Sequence, residues 1–125
     1  MRQRAHPDLT GLAVGFTVSA AEQVAARVAA QAPTARVVAA IPPFAEVLAN
    51  GQGEIAGQRP SVFICGDDGP AKTQIAQLVS DLGAEPVDAG ALPTARLVEP
   101  AMMLLVSLAY GGGRPRVLGL KLLEN

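Results

Sequence analysis

Aromatic residues are scarce in this chain: among 125 residues it has no tryptophan, one tyrosine and three phenylalanines. Half of the residues are nevertheless apolar, so the core must be built from alanine, valine, leucine and isoleucine. A chain of this length buries roughly two-thirds of the surface that its unfolded form exposes. We therefore expect one domain with a modest aliphatic core.

Cysteine and positive charge are also scarce. A single cysteine, Cys65, excludes an internal disulfide and is typical of a reducing cytoplasm. The net charge of −1 disfavours a nucleic-acid-binding surface, which needs clustered lysine and arginine. The longest apolar run, residues 101–110 with only Ser107 interrupting, is about half of the ~20 residues that span a bilayer. The sequence predicts a soluble, cytoplasmic protein that binds neither nucleic acid nor a membrane.

The pattern in the first part of the chain predicts a helix followed by a strand. Ser19 and Glu22 form a capping box, in which the hydroxyl and the carboxylate each bind a free backbone amide. The stretch 36–41, which is continuously apolar after Arg36, predicts a strand that is covered on both faces, as parallel strands are. Residues 44–48 are predicted to form a helical turn or two.

Residues 61–68 are the most informative segment. An apolar strand ends in a glycine and two aspartates, and Asp68 with Pro70 is typical of a helix start. Such a strand-to-helix turn lies at the carboxyl edge of a parallel sheet, where open α/β folds bind their ligands. A short strand at 85–88 and a long apolar helix at 94–110 are predicted to follow.

Strands that alternate with helices predict an α/β fold with a small parallel sheet and helices on both faces. We expect a single domain over residues 1–125. Its parts are a loose leader at 1–18, an α/β core at 19–93, and an apolar helix with a tail at 94–125. Because the helix at 94–110 is apolar nearly all round, we expect it to form the interface of a homodimer.

A series of stretches, taken in chain order, carries a resemblance to a known family: 12–15 with 19–22, 36–40 with 45–48, 62–68, 88–90 with 95–99, and 119–123. They resemble the NADP-dependent oxidoreductases related to the reductase of the deazaflavin coenzyme F-420, often called predicted dinucleotide-binding enzymes. The resemblance covers the second half of that family's usual length. It implies that the fold corresponds to the second half of a Rossmann-type reductase. The implied activity is hydride transfer between NADP and a deazaflavin or another small acceptor.

The family's glycine-rich dinucleotide loop does not occur in this sequence. A Gly-x-Gly-x-x-Gly turn after a strand holds a pyrophosphate through its backbone amides. Residues 51–53 lack the third glycine, and the glycines at 111–113 follow a helix. The resemblance therefore implies the half that closes over the nicotinamide and supplies the pocket of the second substrate.

The resemblance implies a pocket without a catalytic side chain, because hydride transfer needs geometry and a dry environment rather than an acid or a base. We expect NADP or the deazaflavin to contact six residues: Ile41, Pro42, Pro43, Phe44, Leu92 and Arg96. Residues 41–44 lie at the position where the family usually has a histidine or an asparagine near the reacting rings. The prolines have an equally good interpretation as a structural turn.

Two other functions are compatible with the sequence. The chain could be a non-catalytic ligand-binding or dimerisation module. It could also be a cofactor-free enzyme that uses Asp67, Asp68 or Asp88 as acid–base groups on a small metabolite. The structural alternative for the adjacent aspartates is a helix cap and a solvated charge. No metal site is expected, since only Asp88 is a plausible third ligand.

Two further side chains have both a functional and a structural interpretation. Cys65 could be a nucleophile at a helix amino end, although a small buried apolar residue is the commoner role. Arg96 could bind a phosphate or a carboxylate, or it could pair with Glu99 one helical turn away.

Overall fold

The computed structural model describes residues 17–44, 54–114 and 117–125. Its elements, in chain order, are helix α1 (Ala20–Gln31), strand β1 (Val38–Ile41), strand β2 (Ser61–Gly66), helix α2 (Gly69–Asp81), strand β3 (Glu85–Gly90), a 3-10 turn (Leu92–Thr94) and helix α3 (Ala95–Gly111). The predicted α/β class is confirmed. Most of the helical turn predicted at 44–48 lies outside the described residues.

The three strands form one sheet in the order β1-β2-β3, and it is mixed rather than wholly parallel. Strands β2 and β3 are parallel, whereas β1 runs antiparallel to β2, with Val38 opposite Gly66 and Ile41 opposite Phe63. The prediction of a parallel β1 was wrong because a strand covered on both faces has the same apolar pattern in either direction. As a result, the beginning of β1 lies at the carboxyl edge of β2.

Helices cover both faces of the sheet, as predicted. Successive side chains of a strand point to opposite faces, so Val62 and Ile64 pack on the α2 side with Val79 and Ala84. The α3 side of the core is formed by Cys65, Ala95, Val98 and Met102, with Ala21, Ile41, Phe63 and Ala89 packed against them. Two small aliphatic clusters, separated by the sheet, therefore make the core.

The helix starts follow the local signals of the sequence. Both halves of the capping box between Ser19 and Glu22 are present at α1. At α2 the Asp68 carboxylate accepts a hydrogen bond from the backbone N–H of Ala71 at 2.9 Å. The chain leaves α2 through Gly83, whose φ of +94° is a conformation that favours glycine.

The segment Leu92–Gly111 is long and apolar enough to cross a membrane by length and composition. Core helices of soluble proteins meet the same criterion, and one face of α3 packs on the sheet through its buried side chains: Ala95, Val98, Met102, Leu105 and Ala109. The opposite face exposes Met103 and Leu104. Packing of one face on the sheet is what a core helix of a soluble α/β fold shows.

The carboxyl-terminal tail lies against the start of β2. The backbone N–H of Ser61 donates to the carbonyl of Leu120 at 2.7 Å, and the Ser61 hydroxyl accepts from the N–H of Leu122 at 2.9 Å. Lys121 pairs with Glu85 at 2.8 Å. The Glu85 carboxylate accepts hydrogen bonds from Lys121 and from the Ser61 hydroxyl. These hydrogen bonds outweigh the cost of burial and lower the pKa of Glu85. These contacts fix the tail at the end of the sheet opposite the strand-to-helix turn.

Candidate functional site at the carboxyl edge of the sheet

A bulge at the end of β3 shapes the carboxyl edge of the parallel strand pair. Ile64 lies opposite Asp88, but the next residue of β2, Cys65, lies opposite Gly90, so one residue of β3 is unpaired. Gly90 has a φ of +116°, and a Cβ there would lie 3.3 Å from the Thr94 hydroxyl. The bulge and this glycine turn the chain out of the strand and into the 3-10 turn.

Asp67 links the ends of the two parallel strands. Its Oδ1 accepts a hydrogen bond from the backbone N–H of Leu92 at 3.0 Å, although the two residues are 25 positions apart. Leu92 is itself buried, with 8% of its surface exposed. The hydrogen bond closes the loop after β3 over the end of β2.

A cavity of about 320 Å³ opens at this edge, between α1 and the strand ends. We call it the edge cavity, and its lining residues are Ala25, Ala29, Ala35, Arg36, Val37, Asp67, Asp68 and Leu92. Ligand pockets in proteins hold roughly 300–1,000 Å³. The edge cavity is therefore large enough for one ring system.

A second cavity of about 470 Å³ lies beside the edge cavity, between β1 and α2. Arg36 and Asp68 line both cavities and stand between them. The Arg36 Nε and Asp68 Oδ1 are 3.4 Å apart, and the two side chains are 58% and 34% exposed. An ion pair this exposed contributes little to stability. A ligand can displace it at small cost.

The structure separates the six predicted contact residues. Leu92 lines the edge cavity, but Ile41 lies opposite Phe63 in the first half of β2. The three residues that follow Ile41 leave the sheet at that opposite end, and the ring of Phe44 lies 6.4 Å from the ring of Tyr110. Because β1 is antiparallel, Pro42 and Pro43 do not form the carboxyl-edge rim that a parallel β1 would have given.

Arg96 forms an ion pair with Glu22. Its Nε and Nη2 donate to the two Glu22 oxygens at 2.7 and 2.8 Å. The hydrogen bond from Arg96 lowers the pKa of Glu22 from 4.5 to about 2, although burial opposes the shift. The same hydrogen bond raises the pKa of Arg96.

Glu99 does not pair with Arg96 as the spacing suggested. Its two oxygens accept hydrogen bonds from the backbone N–H groups of Ala20 and Ala21 at 2.9 and 3.0 Å. A carboxylate is favourable at this helix end because the free amides carry partial positive charge. Sequence reasoning found the capping role of Glu22 but missed both contacts between α1 and α3, because nothing local signals them.

Cys65 is packed as a small buried apolar residue rather than exposed as a nucleophile. It has no exposed surface, and burial, with the charge of Asp88 as a smaller cause, raises the pKa of its thiol to about 11. A nucleophilic cysteine needs a lowered pKa and access to solvent. The structure therefore disfavours the nucleophile interpretation.

Each of the three aspartates considered as an acid–base group accepts a hydrogen bond from a backbone N–H. Asp67 binds the N–H of Leu92, Asp68 that of Ala71, and Asp88 that of Gly90 at 2.9 Å. Asp88 also pairs with Lys72 at 3.1 Å. Within the described ranges, no group of three side chains is placed to hold a metal ion. These contacts favour the structural interpretation of the aspartates.

No protein-family model matches the chain, and no curated protein matches it. Among solved structures, it is similar to a protein from Arthrobacter sp. FB24 that bears the name of an F-420-dependent NADP reductase, solved at 1.70 Å. The TM-score is 0.64 at 26% sequence identity, and the match covers 78% of this chain. It covers 44% of the other chain, so this chain spans less than half of that protein's length. The likeness confirms the family resemblance and the partial Rossmann-like fold.

Proposed function

We propose that this chain acts in hydride transfer between NADP and a deazaflavin or another small acceptor. The observation that carries the proposal is the likeness of 78% of the chain to a protein named as an F-420-dependent NADP reductase. Since that protein is more than twice as long as the matched part, its activity is transferred here only as a proposal. The cytoplasmic location predicted from the single cysteine belongs to the same proposal.

The edge cavity is the ring pocket in this proposal. Its walls are mostly small and apolar, with Ala25 and Ala29 of α1 on one side and Leu92 on another. Alanine side chains let a flat ring approach a helix closely, and apolar walls contact the faces of such a ring. The pocket lies at the carboxyl ends of two parallel strands, where α/β folds bind ligands.

We assign the acceptor ring, rather than the pyrophosphate of NADP, to this pocket. No Gly-x-Gly-x-x-Gly turn occurs in the sequence, and the volume of about 320 Å³ is at the lower end of the range for ligand pockets. The chain's contribution to the reaction is then to bind and orient one ring. No side chain needs to transfer a proton.

The experiment is isothermal titration of the protein with the oxidised deazaflavin and, separately, with NADPH. Ala29→Leu adds bulk to the cavity wall, and Ala26→Leu is the matched control, because Ala26 lies on the same helix outside the cavity lining. We expect the deazaflavin to bind, Ala29→Leu to weaken binding about tenfold or more, and Ala26→Leu to leave it unchanged. Equal effects of the two substitutions would refute the pocket assignment, and absence of binding would refute the proposed function.

We also propose a homodimer formed through residues 94–110. The outer face of α3 supports it, because Met103, Leu104 and Tyr110 are 61%, 60% and 63% exposed. Soluble monomers rarely leave such an apolar face uncovered.

The cofactor-free enzyme is the weaker alternative, because its three candidate carboxylates all hold backbone amides. A non-catalytic module is the function that remains if no ring compound binds.

A further inference from the structure

We infer that Asp67 determines the specificity of the edge cavity by accepting a hydrogen bond from an amide or imide N–H on the ring of its ligand. The inference rests on the proposed function, since it names the chemistry that the same pocket recognises. Asp67 is not among the six residues for which the resemblance implies a ligand contact. Asp67 would bind and orient the ring and would not take part in the transfer itself.

The Asp67 carboxylate is held in place before any ligand arrives. Its Oδ1 accepts the N–H of Leu92 at 3.0 Å, and Leu92 is itself positioned by the bulge and by Gly90. The other oxygen, Oδ2, accepts no hydrogen bond from any residue that the structure describes. One oxygen is thus fixed to the backbone, and the second remains an acceptor on a residue that lines the edge cavity.

The charges next to Asp67 favour an N–H donor over an anion. The lining contains two carboxylates, Asp67 and Asp68, and one guanidinium, Arg36. Arg36 pairs with Asp68, and no described cation lies within ion-pair distance of Asp67. A phosphate or carboxylate next to Asp67 would be repelled, whereas an N–H donor gains a charge-assisted hydrogen bond.

The ligand class is a flat ring that carries an N–H beside a carbonyl group. The pyrimidinedione edge of a deazaflavin has this pattern, and so does the carboxamide of a nicotinamide. The remaining walls, Ala25, Ala29, Val37 and Leu92, are apolar and contact the faces of such a ring without adding polar requirements. The deazaflavin and the nicotinamide share this N–H and carbonyl pattern. Separate titrations with each compound distinguish them.

Asp67→Asn is the decisive substitution. Asparagine has nearly the same shape, and its carbonyl oxygen can keep the hydrogen bond from Leu92, but its amide then presents donors where Oδ2 was an acceptor. The unmodified ring should bind about 10- to 100-fold more weakly to this variant, because donor would face donor. Asp81→Asn is the matched control, since Asp81 is at the far end of α2 and binds Gln77.

The N–H of the ligand is also removed, by methylation, so that the protein and ligand changes together form a thermodynamic cycle. In one arm, titrations compare the oxidised deazaflavin with its imide N-methyl derivative; in the other, NADPH is compared with its carboxamide N,N-dimethyl derivative. Methylation should weaken binding to the wild-type protein about 10- to 100-fold in one arm and should have little further effect on Asp67→Asn. That non-additivity identifies the N–H and Asp67 as partners.

The outcomes separate the inference from the proposed function. If an unmodified ring binds the wild type and Asp67→Asn equally, or if methylation costs the same in both proteins, the inference is overturned and the proposed function stands. If neither ring compound binds the wild type, both are overturned. An unchanged midpoint of urea unfolding for Asp67→Asn shows that the effect on binding does not come from loss of the fold.

Discussion

Arg96 and Glu22 are 74 positions apart in the chain, and the guanidinium holds both oxygens of the carboxylate, at 2.7 and 2.8 Å. Glu99, one turn further along α3, accepts the first two backbone amides of α1. Helix α1 has no residue that is fully buried. Charged groups at its amino end, rather than a large apolar interface, therefore hold the helix that forms one wall of the edge cavity.

Glu22→Gln should destabilise the protein by about 1–3 kcal/mol, the usual effect of losing a hydrogen bond to a charged partner. Glutamine can keep the capping box, so the loss isolates the ion pair with Arg96. Urea unfolding measures the change, with Arg27→Gln on the exposed side of the same helix as the control. Equal midpoints for the two variants would show that the ion pair does not stabilise α1.

The contribution of Glu22 to stability should depend on pH in a defined window. Its pKa is lowered in the folded protein from 4.5 to about 2, so the folded state favours the ionised form. The stabilisation is fully present above about pH 4.5 and is lost as the pH falls toward 2. Unfolding midpoints of the wild type and Glu22→Gln should converge across this window, and a constant difference between them would contradict the assignment.

Cys65 should be unreactive in the native protein. Its thiol is buried and its pKa is raised to about 11, so ionisation alone slows its reaction near pH 8 by about 100-fold relative to a free cysteine. Labelling with an aromatic disulfide reagent should follow global unfolding as denaturant is added. Rapid labelling without denaturant would show that this strand end is open to solvent.

Leu104→Glu should give a monomer if α3 forms the proposed dimer interface. Leu104 is 60% exposed on the outer face of α3, and a charge there would have to be buried without a partner. Sedimentation velocity measures the mass. Leu123→Glu is the control, because Leu123 is 81% exposed on the tail. A monomeric wild-type protein would refute the dimer.

The elements could be predicted from the sequence because their signals are local. The capping box at Ser19 and the Asp68 cap each depend on residues three positions apart, and both are present in the structure. The direction of β1 could not be predicted, because burial on both faces gives a continuous apolar pattern for either direction. The contact between Arg96 and Glu22 could not be predicted either, since it depends on how α1 packs against α3.

The direction of β1 also decides which residues border the edge cavity. The sequence located the carboxyl edge correctly from the turn at Asp67 and Asp68, and it named Leu92. It added Pro42 and Phe44 on the assumption that β1 ends at that same edge. With β1 reversed, the start of that strand, next to Arg36 and Val37, borders the edge cavity instead.

Amide chemical-shift mapping with ¹⁵N-labelled protein and the oxidised deazaflavin shows directly whether the edge cavity holds the ring of the acceptor. We expect the largest shifts at amides of the cavity lining, namely Ala25, Ala29, Val37, Asp67 and Leu92. Shifts centred instead on Phe44 and Tyr110, at the other end of β1, or no shifts at ligand concentrations in the millimolar range, would contradict this placement of the ring.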